Sequence, residues 1–471
     1  MVTKGPELVI GLVAPLGTST TELATEVKGA LAAYGYKPVI IKMSDLIPGS
    51  GPLGEAEDDR IRRLIAAGNA FCKANDDDPA ALSRLAINRI RASRIDLLRQ
   101  TGDTRPTEDL VIGGRPRTAY IIQSLKRLDE VQLLREVYGS QFILLGSQGT
   151  LEQRTASLMR LSLSSLPESS RRDLVKLLIQ VDAKDDDPLG QNVNATYPQA
   201  DFFIRNNARS EIDRAIGLLF GASIAPEIGE FAMYVARASR ARSLAASRKV
   251  GAAIVVGDAV VATGYNDVPH GQEADILEGV DTSEQFKRDN LSDTLRRLKS
   301  AGMLNDTVTI DEAAVSAAAA ALKGGDLLSV IEYQRAVHAE ARAIDDATIR
   351  GVSTVDGVLY VTTFPCHLCY KHALSARIKR VEYIDPYPKS RAVQMYPVDV
   401  EERLIPFTGV APRRYLEIFD DRPAPQSDES GRFPTHDPSV AQPLVGPVSE
   451  DDSRADKERR AIHRLKEQYR T

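Results

Sequence analysis

Apolar residues in the first half of the chain are grouped so that they predict alternating strands and helices. An unbroken apolar run at 8–13 predicts a buried strand, and helical spacing follows at 21–34 before a second short run at 39–41. Strand, loop of small residues, helix and strand in this order open a parallel sheet. Similar runs and helical segments follow. We therefore predict an α/β domain with a parallel sheet over residues 5–221.

The second half of the chain has a different order of elements. A helix rich in alanine and arginine is predicted at 226–247, and two strands follow around Gly257-Asp258, a pair typical of a tight hairpin turn. Two strand-and-helix units come after a long segment at 270–335, which contains an alanine-rich helix of its own. These elements predict a second α/β domain over residues 226–420.

Beyond residue 420 the composition changes again. Pro, Ser, Asp and Gly are frequent at 422–449, which predicts disorder, and a charged helical segment follows at 455–470. We predict that residues 421–471 form a flexible, charged C-terminal tail.

The loop after the first predicted strand resembles a degenerate phosphate-binding loop. A Walker A loop has Gly, four residues, Gly, Lys and then Ser or Thr. Here Gly17 is followed by Thr18 where the lysine belongs, and Gly11 lies one position too early. The backbone N–H groups at the helix start can still bind a phosphate, which makes Gly11, Gly17, Thr18 and Ser19 candidate nucleotide contacts. A plain strand-to-helix turn is an equal alternative.

The composition favours a soluble protein in a reducing compartment, but it does not indicate a function. The chain has 471 residues, a net charge of −5 and only three cysteines, of which two form a Cys-x-x-Cys pair. An acidic balance argues against a large nucleic-acid surface, and sparse cysteine indicates a reducing compartment. No signal peptide or apolar stretch of membrane-spanning length is visible. We expect a cytoplasmic protein without membrane association.

Two short segments carry the chemistry, His338-Ala339-Glu340 and Pro365-Cys366-His367-Leu368-Cys369. If Pro365 opens a helix, both thiols lie on one face of its first turn, where the helix N-terminus favours thiolates. With His338 they make three Zn²⁺ ligands and leave a fourth position for a water whose pKa falls to about 7. Glu340 can accept the proton of that water and pass it to a ring nitrogen and a leaving amine.

Two other interpretations of these residues are a closed zinc knuckle and a redox Cys-x-x-Cys pair. A closed site needs a fourth Cys or His, for which His270, His367 and His372 are available. Neither interpretation gives Glu340 or Pro365 a role, so we favour the catalytic one.

The signature H-x-E…P-C-x-x-C resembles that of the zinc-dependent nucleobase deaminases, and in particular their deoxycytidylate deaminase branch. Further matching segments are Lys249-Val250-Gly251-Ala252, Thr263-Gly264-Tyr265-Asn266 and Thr362-Thr363-Phe364. The whole chain resembles the bacterial anti-phage deaminases, in which a P-loop-like domain precedes the deaminase. The resemblance implies an N-terminal P-loop-kinase-like parallel-sheet domain and a C-terminal cytidine-deaminase-like three-layer α/β/α domain. Residues 270–335 are then an insertion relative to a minimal deaminase.

The same resemblance implies substrate contacts and an activity. Asn266 would bind the sugar or base, while Tyr387 and Lys389 would stack on the base and contact phosphate. The implied reaction converts dCTP, dCMP or both to the deoxyuridine nucleotide with release of ammonia, which would deplete dCTP during phage infection. A regulatory nucleotide, or an RNA or protein inhibitor, is expected at the first domain, and a homo-oligomer is expected overall.

Two alternative functions stay open at this point. One is deamination of cytidine in RNA or single-stranded DNA, which needs a basic groove with aromatic residues, whereas this chain is acidic and 6% aromatic. The other is a non-enzymatic nucleotide sensor that carries a structural zinc module.

Overall fold

The structure is a computed structural model of the chain. It describes residues 5–51, 54–100, 102–104, 116–161, 167–245, 248–305, 307–322, 325–328, 333–385, 390–421, 426–445 and 454–470. The predicted substrate contacts Tyr387 and Lys389 lie outside these residues. Within the described ranges, no helix has the length and apolar character needed to cross a membrane.

The chain divides into two compact units, and each is described here by itself. The first comprises Met1–Tyr234 and Glu382–Thr471, and the second comprises Val235–Val381. Both are mixed α/β. This division differs from the predicted boundaries near 221, 226 and 420, because segments that follow the second unit complete the first.

The first unit contains a six-stranded sheet with the order β11-β5-β4-β1-β3-β2. Its strands are β1 (Leu8–Val13), β2 (Lys37–Lys42), β3 (Thr118–Gln123), β4 (Phe142–Gln148), β5 (Phe202–Arg205) and β11 (Gly409–Val410). The helices that accompany β1 to β5 are α1 (Thr20–Ala33), α2 (Met43–Leu46), α3 (Glu57–Ala74), α4 (Ala81–Gln100), α5 (Leu128–Tyr138), α6 (Leu151–Met159), α7 (Glu168–Ala183), α8 (Val193–Thr196) and α9 (Arg209–Leu219). Short 3₁₀ turns lie at Gly139–Gln141 and Tyr197–Gln199.

Strands β1 to β5 are parallel. Strands β1, β3 and β4 are buried along their whole length, as their apolar runs predict, whereas the edge strand β2 is largely exposed. Ile10 of β1 is aligned with Ile121 of β3 and with Ile143 of β4. One face packs against α1 and α9 in a single apolar core. The C-terminal strand β11 pairs antiparallel with β5, with Gly409 opposite Phe203. This pairing is the physical reason that residues beyond 382 belong to the first unit.

Described parts of the C-terminal segment, for which we predict a flexible tail, contribute helices to the first unit. After α16 (Ala392–Met395), α17 (Val400–Arg403) and α18 (Tyr415–Phe419), the last helix is α19 (Arg454–His463), followed by a 3₁₀ turn at Glu467–Tyr469. Both Nη atoms of Arg94 on α4 donate to the Glu458 carboxylate at 3.0 Å, and both side chains are fully buried. Arg94 also donates to Glu7 at 3.2 Å. Charge pairing, which composition cannot reveal, therefore fixes this helix.

The second unit is organised on strands β6 (Gly251–Val256), β7 (Ala259–Tyr265) and β8 (Val358–Thr363). Strand β6 lies between the other two and is antiparallel to both, and the predicted hairpin turn occurs at Gly257, whose φ is +61°. Strand β9 (Arg380–Asp385) and helix α10 (Ile228–Arg240) each cross a boundary between the units, and β10 (Leu404–Pro406) belongs to the residues of the first unit. The helices inside the second unit are α11 (Asp275–Glu278), α12 (Thr282–Ser300), α13 (Glu312–Ala321), α14 (Ala339–Ile349) and α15 (His367–Ser375), with a 3₁₀ turn at Asp326–Leu328.

Candidate metal centre and active site

The two thiols lie where strand β8 gives way to helix α15. Cys366 is the N-cap of α15, and its sulfur accepts the backbone N–H of Cys369 at 3.4 Å. The helix begins at His367, so Pro365 lies just outside the helix and not in its first turn as predicted. The N-cap and the third helical position still bring both sulfurs to the positive end of the helix.

The third predicted ligand, His338, is the N-cap of helix α14. The helix predicted from residue 335 starts only at Ala339, because Val337 is still extended and forms a bridge with Asp267. Helix α14 lies close to strand β7, since a Cβ on Gly264 would come 2.0 Å from the carbonyl oxygen of Ala339. A glycine at 264 therefore permits the approach that positions His338.

These three side chains converge in a geometry that suits zinc. Nδ1 of His338 is 3.4 Å from the sulfur of Cys366 and 3.3 Å from that of Cys369, and the three ligand atoms lie within 4.8 Å of one another. Tetrahedral zinc, with bonds of about 2.3 Å to sulfur and about 2.0 Å to nitrogen, requires a nitrogen–sulfur separation of about 3.5 Å. The residues present fit a bound zinc ion.

The thiol pair is prepared to bind a cation. A hydrogen bond with Cys369, with further support from His338, lowers the pKa of Cys366 to about 4. The same interaction raises the pKa of Cys369, because the two sulfurs share one proton. A thiolate is therefore present at neutral pH, and a metal ion displaces the remaining proton.

Glu340 lies in the first turn of α14, two residues after the histidine, and its side chain is buried. Burial raises the pKa of this carboxyl, and the nearby His338 opposes that shift. The Cys369 side chain also hydrogen-bonds to it. A carboxyl group whose pKa is raised, and which lies beside three ligand atoms, is suited to accept and donate protons near neutral pH.

The structure gives Asn266 a clear local role. Its Oδ1 accepts the N–H of Val250 at 2.7 Å, and its Nδ2 donates to the carbonyl of Arg248 at 2.8 Å. These bonds join the end of β7 to the segment that precedes β6. Among the described residues, Nδ2 of Asn266 has this one partner, so its second amide hydrogen can donate to a ligand.

At the β1–α1 loop the predicted nucleotide contacts have other partners. Gly11 lies inside β1, where a Cβ would come 2.6 Å from a methyl of Leu125, so core packing accounts for this glycine. Ser19 is the N-cap of α1 and accepts the N–H of Glu22. Thr18 accepts the N–H of Gly149 at 3.3 Å.

Three side chains from other elements close this loop. Asp182 accepts the backbone N–H of Leu16 at 2.7 Å, and its other oxygen accepts from Lys126 at 2.7 Å. Lys126 also donates to the carbonyl of Ala14, and Nε of Arg154 donates to the carbonyl of Leu16. A carboxylate thus lies where a loop of this kind would hold a phosphate.

The second unit therefore contains the site of a metal-dependent hydrolase, with three converging ligands and a buried carboxyl at the meeting point of a strand and two helix N-termini. Residues 227–385 match the family model of the cytidine and deoxycytidylate deaminase zinc-binding region. This part of the chain is a zinc-binding deaminase region of the cytidine and dCMP deaminase type.

Comparison with other known proteins adds little beyond this match. A search of curated proteins returned no match. Similar solved structures include the dCMP deaminase of cyanophage S-TIM5, whose apo form is 17% identical with a TM-score of 0.24, covering 39% of this chain and 100% of that chain. The same enzyme in complex with dCMP and dUMP is 19% identical with a TM-score of 0.25 and the same coverage.

A bifunctional diaminohydroxyphosphoribosylaminopyrimidine deaminase and 5-amino-6-(5-phosphoribosylamino)uracil reductase from Thermotoga maritima is 15% identical with a TM-score of 0.23, covering 41% of this chain and 39% of that chain. Likenesses at this level do not establish a shared substrate.

Two polar contacts of the site were not predicted. Gln334 lies 2.6 Å from His338, and Arg248 donates to the hydroxyl of Thr363 at 2.8 Å, three residues before Cys366. Gln334 lies in the predicted insertion and outside the helix predicted from residue 335, where the sequence gives no signal for a contact with the histidine.

Proposed function

We propose that the protein catalyses the zinc-dependent hydrolytic deamination of deoxycytidine nucleotides, converting dCTP, dCMP or both to the deoxyuridine nucleotide and ammonia. The observation that carries this proposal is the convergence of His338, Cys366 and Cys369 beside the buried Glu340, within a region of the cytidine and dCMP deaminase type.

In the proposed reaction the metal ligands hold the zinc ion and Glu340 transfers the protons. Bound zinc would supply an open coordination position, at which water becomes acidic at neutral pH. Glu340 takes a proton from the attacking water on one carboxylate oxygen and delivers it to N3 of the cytosine ring. After the hydroxyl has added at C4, the Glu340 carboxylate takes the proton of that hydroxyl and passes it to the amino group, so that the C4–N bond breaks, ammonia leaves and C4 keeps its oxygen as a carbonyl.

Other residues would position the nucleotide. We assign the sugar contact to Asn266, and the base and phosphate contacts to Tyr387 and Lys389, as predictions from the sequence. Two guanidinium groups lie over the ring of Tyr265, Arg242 at 4.4 Å and Arg342 at 4.6 Å from the ring centroid, and add positive charge near Asn266. A phosphorylated substrate is favoured by such charge.

The biological role that we propose is depletion of dCTP in anti-phage defence, with the first unit acting as a P-loop-kinase-like regulatory domain in a homo-oligomer. This part rests on the order of domains in the resembling deaminases. Regulation requires an effector, a nucleotide or an inhibitory RNA or protein, that binds two states of the protein with different affinity.

Incubation of the purified protein with dCMP, dCTP, CMP and CTP, followed by chromatography of the products, tests the activity. We expect uracil products and ammonia from the deoxynucleotides. Cytidine oligonucleotides, as RNA and as single-stranded DNA, serve as the comparison set. Deamination of oligonucleotides alone would support the nucleic-acid alternative, and a zinc-loaded protein without activity on any of these substrates would support the sensor alternative.

A further inference from the structure

The imidazole of His338 has a polar partner on the side away from the thiols. Its Nδ1 faces both sulfurs, whereas its Nε2 lies 2.6 Å from Oε1 of Gln334. An amide oxygen only accepts hydrogen bonds, so this contact is satisfied when Nε2 carries a proton. A metal ion bound through Nδ1 requires the same arrangement, with the proton on Nε2.

The segment that carries Gln334 is held in place by the insertion at 270–335. Arg335 donates to Asp275 at 2.8 Å and to Glu278 at 2.7 Å, both on helix α11. On the other side, Tyr333 accepts from Asn290 of helix α12 at 2.5 Å. Both chain neighbours of Gln334 are thus attached to helices of the insertion.

The two ends of the insertion are also joined to each other. Asp267 donates its N–H to the carbonyl of Val337 at 3.2 Å and accepts the N–H of Val337 at 2.9 Å. This bridge fixes the backbone one residue before His338. The insertion therefore returns to the core at the metal centre, and the last residues of the insertion set the direction of the imidazole.

We propose that Gln334 is a positioning residue of the metal centre, and that the insertion serves to hold it against Nε2 of His338. The proposal rests on the proposed metal site and deepens it. Removing an outer partner of a metal-bound histidine lowers metal affinity about 10–100-fold. We expect the lower end of this range, because Gln334 is exposed and water can partly replace its oxygen.

Zinc release from the full-length protein tests this proposal without any measurement of activity. The zinc-loaded protein is mixed with an excess of a colorimetric chelator, and the rate of transfer is recorded. We expect Gln334→Met, which keeps the side-chain length without a polar atom, to release zinc about tenfold faster than the parent protein. Gln334→Glu keeps an acceptor oxygen and is expected to hold zinc at least as well as the parent. Gln285→Met, on the exposed face of α12, is the matched control and should not change the rate.

The cobalt-substituted protein gives a second readout that a loss of stability alone would not change. We expect Gln334→Met to alter the visible absorption bands of bound Co²⁺, and Gln334→Glu to preserve an intense tetrahedral spectrum. Arg335→Met, which removes the attachment to α11, should accelerate zinc release by a smaller factor than Gln334→Met.

Equal zinc release and identical cobalt spectra for the parent and Gln334→Met would overturn the assignment of Gln334. Equal release for Arg335→Met, with an effect at Gln334, would overturn the role of the insertion alone. Failure of the parent protein to bind either metal would instead overturn the proposed metal site, so the two failures are distinguishable.

Discussion

Two turns in this protein join a buried strand to a helix N-terminus, and among the described residues only the second brings three metal-ligating side chains together. After β1, the loop residues bind Asp182, Lys126 and Arg154, so the backbone donor and acceptors are paired and the charges are compensated. After β8, two sulfurs and a ring nitrogen face one another at 3.3–3.4 Å, and a cation satisfies them all.

These two turns have the same order of strand and helix but different side chains around them, so the shape of a strand–helix turn does not by itself make a binding site. Both turns offer a helix N-terminus, which favours anions or thiolates. A site exists where groups of the same sign converge and lack an internal counter-charge. The β1–α1 loop supplies its own carboxylate in Asp182, whereas the β8–α15 turn adds a third electron-rich atom from His338.

Removal of the metal should cause the largest change in activity. Dialysis against a strong chelator is expected to abolish deamination, because the three ligands then have no cation to hold, and one equivalent of Zn²⁺ should restore it. Activity and bound zinc are measured on the same samples. Full activity of a zinc-free sample would show that the β8–α15 turn needs no cation. The proposed difference between the two turns would then be wrong.

Replacement of Glu340 separates the chemistry from the metal site. We expect Glu340→Gln to lower kcat about 10²–10⁴-fold while zinc content stays unchanged, because the amide cannot move a proton and does not ligate the metal. Asp345→Asn, an exposed position on the same helix, is the matched control for helix stability. Loss of zinc from Glu340→Gln would contradict the role assigned to the carboxyl.

Opening the β1–α1 loop should cost stability instead of activity. Asp182→Ala leaves the mostly buried Lys126 without its carboxylate and is expected to lower the free energy of unfolding by about 3 kcal/mol. Denaturant unfolding measures this change, and Asp186→Ala, an exposed neighbour, should stay within about 0.5 kcal/mol of the parent.

The Asp182→Ala variant also tests whether the β1–α1 loop can bind an anion. If the Asp182 carboxylate stands in for a phosphate, its removal frees the Leu16 N–H, and inorganic phosphate or a nucleotide should raise the Tm of Asp182→Ala more than that of the parent. Equal shifts would show that the loop does not become an anion site when it is opened.

The smallest expected effect concerns the close packing of the same loop. Gly17 has a φ of +93°, and a Cβ there would come 2.6 Å from the carbonyl oxygen of Arg154. We expect Gly17→Ala to cost about 2 kcal/mol, from backbone strain and the clash together. At Gly49, whose φ is +75°, no described heavy atom lies within 4 Å of such a Cβ, so Gly49→Ala isolates the strain of about 1 kcal/mol. Equal losses at both positions would mean that the loop relaxes around the methyl group.

Local patterns were sufficient for some parts of the molecule and not for others. The apolar run at 8–13 became the fully buried β1, and Gly257-Asp258 became a hairpin turn, because sequence neighbours decide both. Helix starts were misjudged at Pro365 and at residue 335. The helix expected from 335 starts later because Val337 forms a bridge with Asp267, which is 70 residues away in the sequence. The helix after Pro365 starts later because Cys366 is its N-cap.

The residue pattern along the chain is sufficient to indicate a zinc-binding deaminase region. The spacing of His338, Glu340, Cys366 and Cys369 predicts it, since few other functions need those four groups together. Three contacts are visible in the folded structure and not in the sequence. Asp182 accepts a hydrogen bond from the β1–α1 loop, Gln334 contacts His338, and Glu458 on the last helix pairs with Arg94. Each of these contacts joins a charged or polar group to a partner that secondary structure alone does not place, and burial of such groups is favourable only when the complete fold supplies the partner.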